Sequence, residues 1–231
     1  MDATNRIKKP RKRFNLTDLD NSNVFYNISI CLFYAQWHYY EDTDNPILDK
    51  LNMGWNYYDS ILDNVKDLNR CFIKLIKENE YNAALPLIRL QMDNLCVMYA
   101  EYLYPEKILL PILENGKELG RIKIDGDYIR AKALVDKLAT QYEPLTTIWM
   151  DSCCYVHPSK KREEASISTI TNPQTGYCIK DRQKEKKYLK DMVLINQVIL
   201  DVLNIQLDFY IIKLKEKGTY KDYRKNIKRI L

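Results

Sequence analysis

The sequence predicts an all-α protein, a helical bundle with one small β-hairpin inserted. Gly (6) and Pro (8) are scarce among the 231 residues, which suits helices better than a turn-rich β sandwich. Apolar residues recur every three or four positions through most of the chain, which is the spacing of one helix face. One segment, at residues 165–180, instead alternates apolar and polar residues around a turn at 172–176, as a hairpin does.

The first half of the chain is predicted to form three helices, at residues 21–40, 46–77 and 82–102. Residues 42–45 separate the first two helices, and Pro46 suits the first turn of the second. Each helix has an apolar stripe with helical spacing. The stripes consist of Ile28, Cys31, Leu32, Ala35 and Tyr39; of Leu51, Trp55, Tyr58, Ile61, Leu62, Val65, Leu68, Phe72 and Leu75; and of Leu85, Ile88, Met92, Leu95 and Tyr99.

The second half is predicted to continue with a loop at residues 114–127, which holds three of the six glycines and a short strand at 121–124. Helices follow at 128–140 and 143–156, and then the hairpin. A long helix is expected over 182–217, closed by Gly218. The apolar face of this long helix is formed by Leu189, Val193, Leu200, Leu203, Leu207, Ile211 and Leu214.

Positive charge is concentrated at the two ends of the chain, although the formal net charge is only +5. We therefore expect a basic arm at residues 1–20, one helical domain at 21–217, and a basic tail or short helix at 218–231. Such clusters attract phosphate backbones, and solubility is the alternative explanation. No apolar run has the length of a membrane span, so a cytoplasmic protein without membrane contact is expected.

The common motifs for nucleotide binding, metalloprotease activity and hydrolase activity are absent from the sequence. The six cysteines form no CxxC pair, and the adjacent Cys153 and Cys154 would point about 100° apart on a helix. We therefore expect neither a metal nor a cofactor.

Arg89 and Asp93 form the first candidate site, because residues four apart share one helix face. Apolar residues flank both of them, so this face is expected to be partly buried. The adjacent Asn94 is a further candidate for binding phosphate. An ion pair within a helix bundle is one interpretation. The other is a guanidinium that Asp93 orients toward a phosphate, for which arginine has a suitable planar fork.

His157 is the second candidate, because Pro158 ends the predicted helix at this histidine. The helix dipole favours a protonated imidazole there, whereas the cations that follow oppose it, and this balance suits an acid–base group. The neighbouring candidates for phosphate binding are Ser159, Lys160, Lys161 and Arg162. A helix-terminating histidine bonded to a carbonyl is the alternative, and His38 is expected to be a packed or surface histidine.

Two segments together resemble a known family. "LPLIRLQMDN" on one helix and "SCCYVHPS" at the end of another, followed by a hairpin, are similar to bacterial HEPN-like proteins (higher eukaryotes and prokaryotes nucleotide-binding). The resemblance covers roughly residues 80–210. It implies a helical bundle, often dimeric, that acts as a ribonuclease or RNA-binding component of antiviral defence or toxin systems.

The sequence departs from the catalytic pattern of that family, which has an arginine shortly before the histidine. Asp151 and Ser152 lie in this interval, and the nearest upstream arginine is Arg130. One hypothesis is therefore a metal-independent ribonuclease in which His157 is the acid–base, Arg89 and Lys160 bind phosphate and Asp93 orients. A second is a non-catalytic adaptor that binds nucleic acid or a protein. A third is a purely structural helical assembly factor that uses the long helix at 182–217 as a dimer seam. The expected partners are RNA and either a second copy of the chain or a larger defence complex.

Overall fold

Long α-helices dominate the protein, which confirms the predicted fold class. The computed structural model describes residues 14–20, 23–52, 57–105, 107–156, 168–172, 177–180 and 182–230. The helices in chain order are α1 (Asn23–Tyr40), α2 (Pro46–Asn52), α3 (Tyr57–Lys77), α4 (Tyr81–Leu103), α5 (Leu109–Asn115), α6 (Ala131–Ala139), α7 (Pro144–Tyr155), α8 (Arg182–Lys217) and α9 (Tyr220–Ile230).

Several helix ends differ from the predicted ones by one to three residues, and two differences are larger. The helix expected over 46–77 is described as α2 and α3, on either side of residues 53–56, which lie outside the described part of the chain. The sequence analysis did not predict α5, whose third residue is Pro111. Proline is compatible with a helix in this first turn, because the N–H that it lacks has no partner there.

Two short antiparallel strand pairs accompany the helices. β1 (Lys123–Ile124) and β2 (Asp127–Tyr128) flank a turn in which Asp125 and Gly126 both have positive φ, 52° and 94°. The strand predicted at 121–124 is thus present in its second half. β3 (Ser168–Asn172) pairs with β4 (Tyr177–Lys180), which confirms the predicted hairpin.

The helix α8 is the central element of the bundle. It runs parallel to α4, since Gln91 bonds Asn196 and Gln206 bonds the Met98 carbonyl. The segment that contains α7 runs antiparallel to α8, because Tyr142 bonds Asp201 whereas Tyr155 lies against Tyr188. The predicted apolar stripes form the core, and most of their described members are buried. The half-buried members are Cys31, Tyr39, Ile61, Leu75, Leu189, Val193 and Ile211, and Trp55 lies outside the described residues.

Three buried amide side chains join α3, α4 and α8 at the centre of the core. Asn69 and Asn196 exchange hydrogen bonds of 2.7 and 2.9 Å. Gln91 Nε2 lies 3.1 Å from Asn69 Oδ1 and 3.0 Å from Asn196 Oδ1, and it donates to both. Each of the three residues is at most 1% exposed. Because buried amides are costly when unpaired, this arrangement favours one register of the three helices.

Both ends of the described chain pack against the bundle. Residues 16–20 form a 3-10 helix, and Phe14 and Leu19 are each 3% exposed. After Gly218, whose φ is 88°, the chain turns into α9, and Tyr223 of α9 is 5% exposed. Segments that the sequence assigned to a basic arm and a basic tail therefore contribute apolar anchors to the fold.

By length and composition, α8 could cross a membrane. However, 67% of its most apolar window is buried inside the bundle, and the core helix of a soluble protein has the same properties. These features of α8 therefore do not decide where the protein is located.

We predict that Asn196→Ala lowers the free energy of unfolding by about 2–4 kcal/mol, because it leaves buried amide groups of Asn69 and Gln91 without a partner. Chemical denaturation measures this change. Asn204→Ala on the same helix is the matched control, because Asn196 and Asn204 both bond the carbonyl four residues before them, each at 2.8 Å. Because Asn204 is half-buried, Asn204→Ala should lower the free energy of unfolding by about 1 kcal/mol or less. Equal costs for the two variants would contradict a special role of the amide cluster.

Candidate functional site

Arg89 is held between α4 and the last turns of α7. Its Nη2 lies 2.9 Å from Asp93 Oδ1, one helical turn further along α4. Its Nη1 donates to Cys153 Sγ at 3.1 Å, and the guanidinium carbon lies 3.6 Å from the centre of the Trp149 ring. The predicted ion pair is therefore present, and Trp149 and Cys153, again one turn apart, complete the surroundings of Arg89.

This ion pair lies at the boundary between the core and solvent. The Arg89 side chain is 19% exposed and that of Asp93 is 45% exposed. Burial raises the pKa of Asp93 above its ordinary value, and the charge and hydrogen bond of Arg89 offset part of the rise. The pair is thus partly desolvated, Asp93 is its more exposed member, and Arg89 is oriented by Asp93, Cys153 and Trp149.

Asn94 does not have the predicted role of binding phosphate. It is 6% exposed, its Nδ2 donates to Gln91 Oε1 at 3.1 Å, and its Oδ1 accepts from Asn64 at 3.0 Å. These bonds join Asn94 to the amide cluster of the core, so its polar atoms are used inside the protein. Asn94 follows Asp93 directly in the sequence and therefore points about 100° away from it on α4.

His157, Ser159, Lys160, Lys161 and Arg162 lie outside the described residues. The described part does establish where the preceding helix ends: α7 ends at Tyr155, and Arg89 contacts Cys153, four positions before His157. The hypothesis that Arg89 and His157 act together at one site stays a prediction. The structure supplies one necessary condition for it, namely that Arg89 lies at the correct end of α7.

A second charged cluster joins α7 to α8 and was not predicted from the sequence. Lys187 Nζ lies 3.0 Å from both Asp151 and Asp191. Burial raises the pKa of Asp191, the bond and charge of Lys187 counteract this, and Asp151 adds a smaller rise. Asp151 lies near the end of α7, and Lys187 of α8 is its ion-pair partner. The four-residue spacing of Lys187 and Asp191 was the available sequence signal.

The helix α9 carries an exposed basic stripe. Its five cations are Lys221, Arg224, Lys225, Lys228 and Arg229, and all are exposed. At 100° per residue they fall within an arc of about 140°. Within the described part of the chain, none of the five has an ion pair or side-chain hydrogen bond. We call this surface the α9 stripe.

The opposite side of α9 fastens the helix to α1. Tyr223 is buried, Ile227 is half-buried, and Asn226 Nδ2 donates to His38 Nε2 at 3.0 Å. His38 is 3% exposed and also bonds Glu41 through Nδ1 at 3.1 Å, which confirms it as a packed histidine. Because Nε2 accepts from Asn226, Nδ1 carries the proton that is donated to Glu41. The α9 stripe is therefore held facing solvent.

A smaller basic group lies at the other end of the bundle. Arg182, Lys186 and Lys190 are exposed and are spaced four apart along the start of α8. Lys217 lies 30 positions after Lys187, which corresponds to roughly 45 Å of helix. The end of α7 and the α9 stripe are therefore far apart, and an extended polyanion would be needed to contact both.

No family model, curated protein or solved structure matches this chain. The resemblance to HEPN-like proteins therefore remains a prediction made from two short segments of sequence. Among residues that the structure describes, no group of three or more His, Cys, Asp or Glu side chains is placed to hold a metal ion.

Proposed function

We propose that this protein binds RNA through the α9 stripe, as a cytoplasmic HEPN-like component of a bacterial defence or toxin system. The observation that carries the proposal is the presence of five exposed cations on one face of a helix whose other face is fastened to the bundle. Fixed lysines and arginines neutralise backbone phosphates without reading the bases. RNA is favoured over DNA by the sequence resemblance alone.

The alternative of binding to a membrane surface fits α9 less well. An amphipathic helix at a membrane inserts its apolar face between the lipids. In this protein that face is occupied, because Tyr223 is buried against α1 and Asn226 bonds His38. The part of α9 that carries Tyr223 and Asn226 is packed on α1, so the cationic side is the larger surface turned to solvent, and this supports a polyanion.

We predict that Lys225→Gln with Lys228→Gln weakens the binding of single-stranded RNA and flattens its salt dependence. Each lost phosphate contact should reduce the slope of log K against log salt by about 0.7, so the pair should reduce it by about 1.4. Fluorescence anisotropy of a labelled oligonucleotide at several salt concentrations measures both effects, and a DNA oligonucleotide of the same sequence tests the preference for RNA.

The matched control is Lys74→Gln with Lys77→Gln on α3. These two lysines are also exposed and three residues apart, but they lie on a different helix. We expect the control pair to leave affinity and slope nearly unchanged. If both pairs reduce the slope equally, the protein binds RNA through its overall charge and the α9 stripe has no particular role.

A second candidate function, metal-independent cleavage of RNA, is favoured by the position of Arg89. This oriented guanidinium contacts the last turns of the helix that precedes His157. Cleavage of this kind requires an acid–base group near the 2′-hydroxyl and a cation on the phosphate. His157 and Arg89 would fill these two roles, with Asp93 orienting Arg89 and Lys160 as a further phosphate ligand.

For this second function, we predict that the protein cleaves RNA in the presence of EDTA and that His157→Ala abolishes cleavage. Arg89→Lys should reduce the cleavage rate at least about tenfold, because lysine lacks the planar fork of arginine. Gel analysis of a labelled RNA measures the products. Arg70→Lys is the control, since Arg70 forms the exposed pair with Asp67 at 2.9 Å on α3. Cleavage that His157→Ala leaves undiminished would exclude this mechanism and leave RNA binding as the function.

A further inference from the structure

A small cavity lies where the C-terminal halves of α4 and α8 meet the start of α3. Its volume is about 50 Å³. The side chains around it include four aromatic rings, one carboxylate and one amide: Tyr58, Tyr102, Phe209, Tyr210, Glu101 and Gln206. None of the described residues around this cavity is positively charged. The cavity is distinct from both the end of α7 and the α9 stripe.

Gln206 presents an amide oxygen that lacks a partner among the described residues. The residue is 4% exposed, and its Oε1 accepts no hydrogen bond. Its Nε2 donates to the Met98 carbonyl at 3.4 Å, so exchanging the two amide atoms would place two acceptors face to face. A buried oxygen of this kind is costly to leave unpaired, and a donor in the cavity would remove that cost.

Glu101 adds a negative charge to the same cavity. It is 4% exposed, and its Oε2 accepts a hydrogen bond from the Leu109 N–H at 3.0 Å. The pKa of the Tyr58 hydroxyl is raised well above its ordinary value, first by burial and then by the charge of Glu101. The Glu101 carboxylate therefore acts electrostatically on the groups around the cavity. A cation would be favoured there and an anion disfavoured.

We propose that this cavity binds a primary alkylammonium group. The N–H groups of such a cation can donate to Gln206 Oε1 and to the Glu101 carboxylate, and the surrounding aromatic rings attract positive charge. A volume of about 50 Å³ corresponds to a few water-sized groups, which is the size of methylammonium or ethylammonium. A quaternary ammonium ion has no N–H to donate, so it would leave Gln206 Oε1 unpaired.

The test is thermal denaturation of the full chain in methylammonium chloride, compared with tetramethylammonium chloride and sodium chloride at equal ionic strength. A ligand that binds only the folded protein raises Tm, and we expect a saturable rise of about 3 °C or more with methylammonium alone. An equal Tm in all three salts would overturn the proposal, because the cavity would then hold water only.

Two variants locate the effect in the cavity. Gln206→Met removes the amide oxygen, and Phe209→Leu removes one ring from a half-buried position. Phe33→Leu on α1 is the matched control, since Phe33 is half-buried as well and does not border the cavity in the described structure. Loss of the methylammonium shift in either folded cavity variant, with the shift retained in Phe33→Leu, supports the site. Retention of the shift in every folded cavity variant overturns it.

Discussion

The hydrogen-bonded cluster of Gln91, Asn69 and Asn196 constrains the rest of the structure. Apolar stripes can slide past one another at modest cost, whereas three buried amides have one arrangement that satisfies them together. That arrangement determines the register of α3, α4 and α8. Because α8 carries the charged cluster with α7 at one end and leads into α9 at the other, its register determines where the exposed cations are presented.

The helices could be predicted because their apolar residues recur with helical spacing, and the Arg89–Asp93 pair because its two members are four residues apart. Contacts between distant segments could not be predicted in this way. Trp149 and Cys153 lie about 60 positions from Arg89, and nothing in their own spacing shows that α7 packs on α4. In α9, Tyr223 and Ile227 form an apolar face, and most of the other residues are charged. The sequence therefore predicted a tail or short helix there and not a helix that packs on the bundle. Asn94 was misassigned because it is adjacent in sequence to a surface pair but faces the core.

The two candidate surfaces have different physical characters. Near the end of α7, two of the described cations already have protein partners: Arg89 has Asp93, and Lys187 has Asp151 and Asp191. Such groups are oriented and partly desolvated, which suits the recognition of one phosphate in a fixed geometry. On α9 the cations are exposed and have no such partners in the described structure, which suits many phosphates with little selectivity. Substitutions on α9 would therefore weaken RNA binding without changing the groups near His157, and substitutions near His157 would leave the cations of α9 unchanged.

The central claim, that RNA lies along α9, is tested most directly by lysine footprinting. The free protein and its RNA complex are acetylated briefly, and modification at each lysine is quantified by mass spectrometry. The account predicts that RNA protects Lys221, Lys225 and Lys228, all exposed in the structure, and leaves Lys74 and Lys77 as reactive as before. Unchanged labelling of the three α9 lysines, or protection confined to Lys186 and Lys190 at the start of α8, would contradict it.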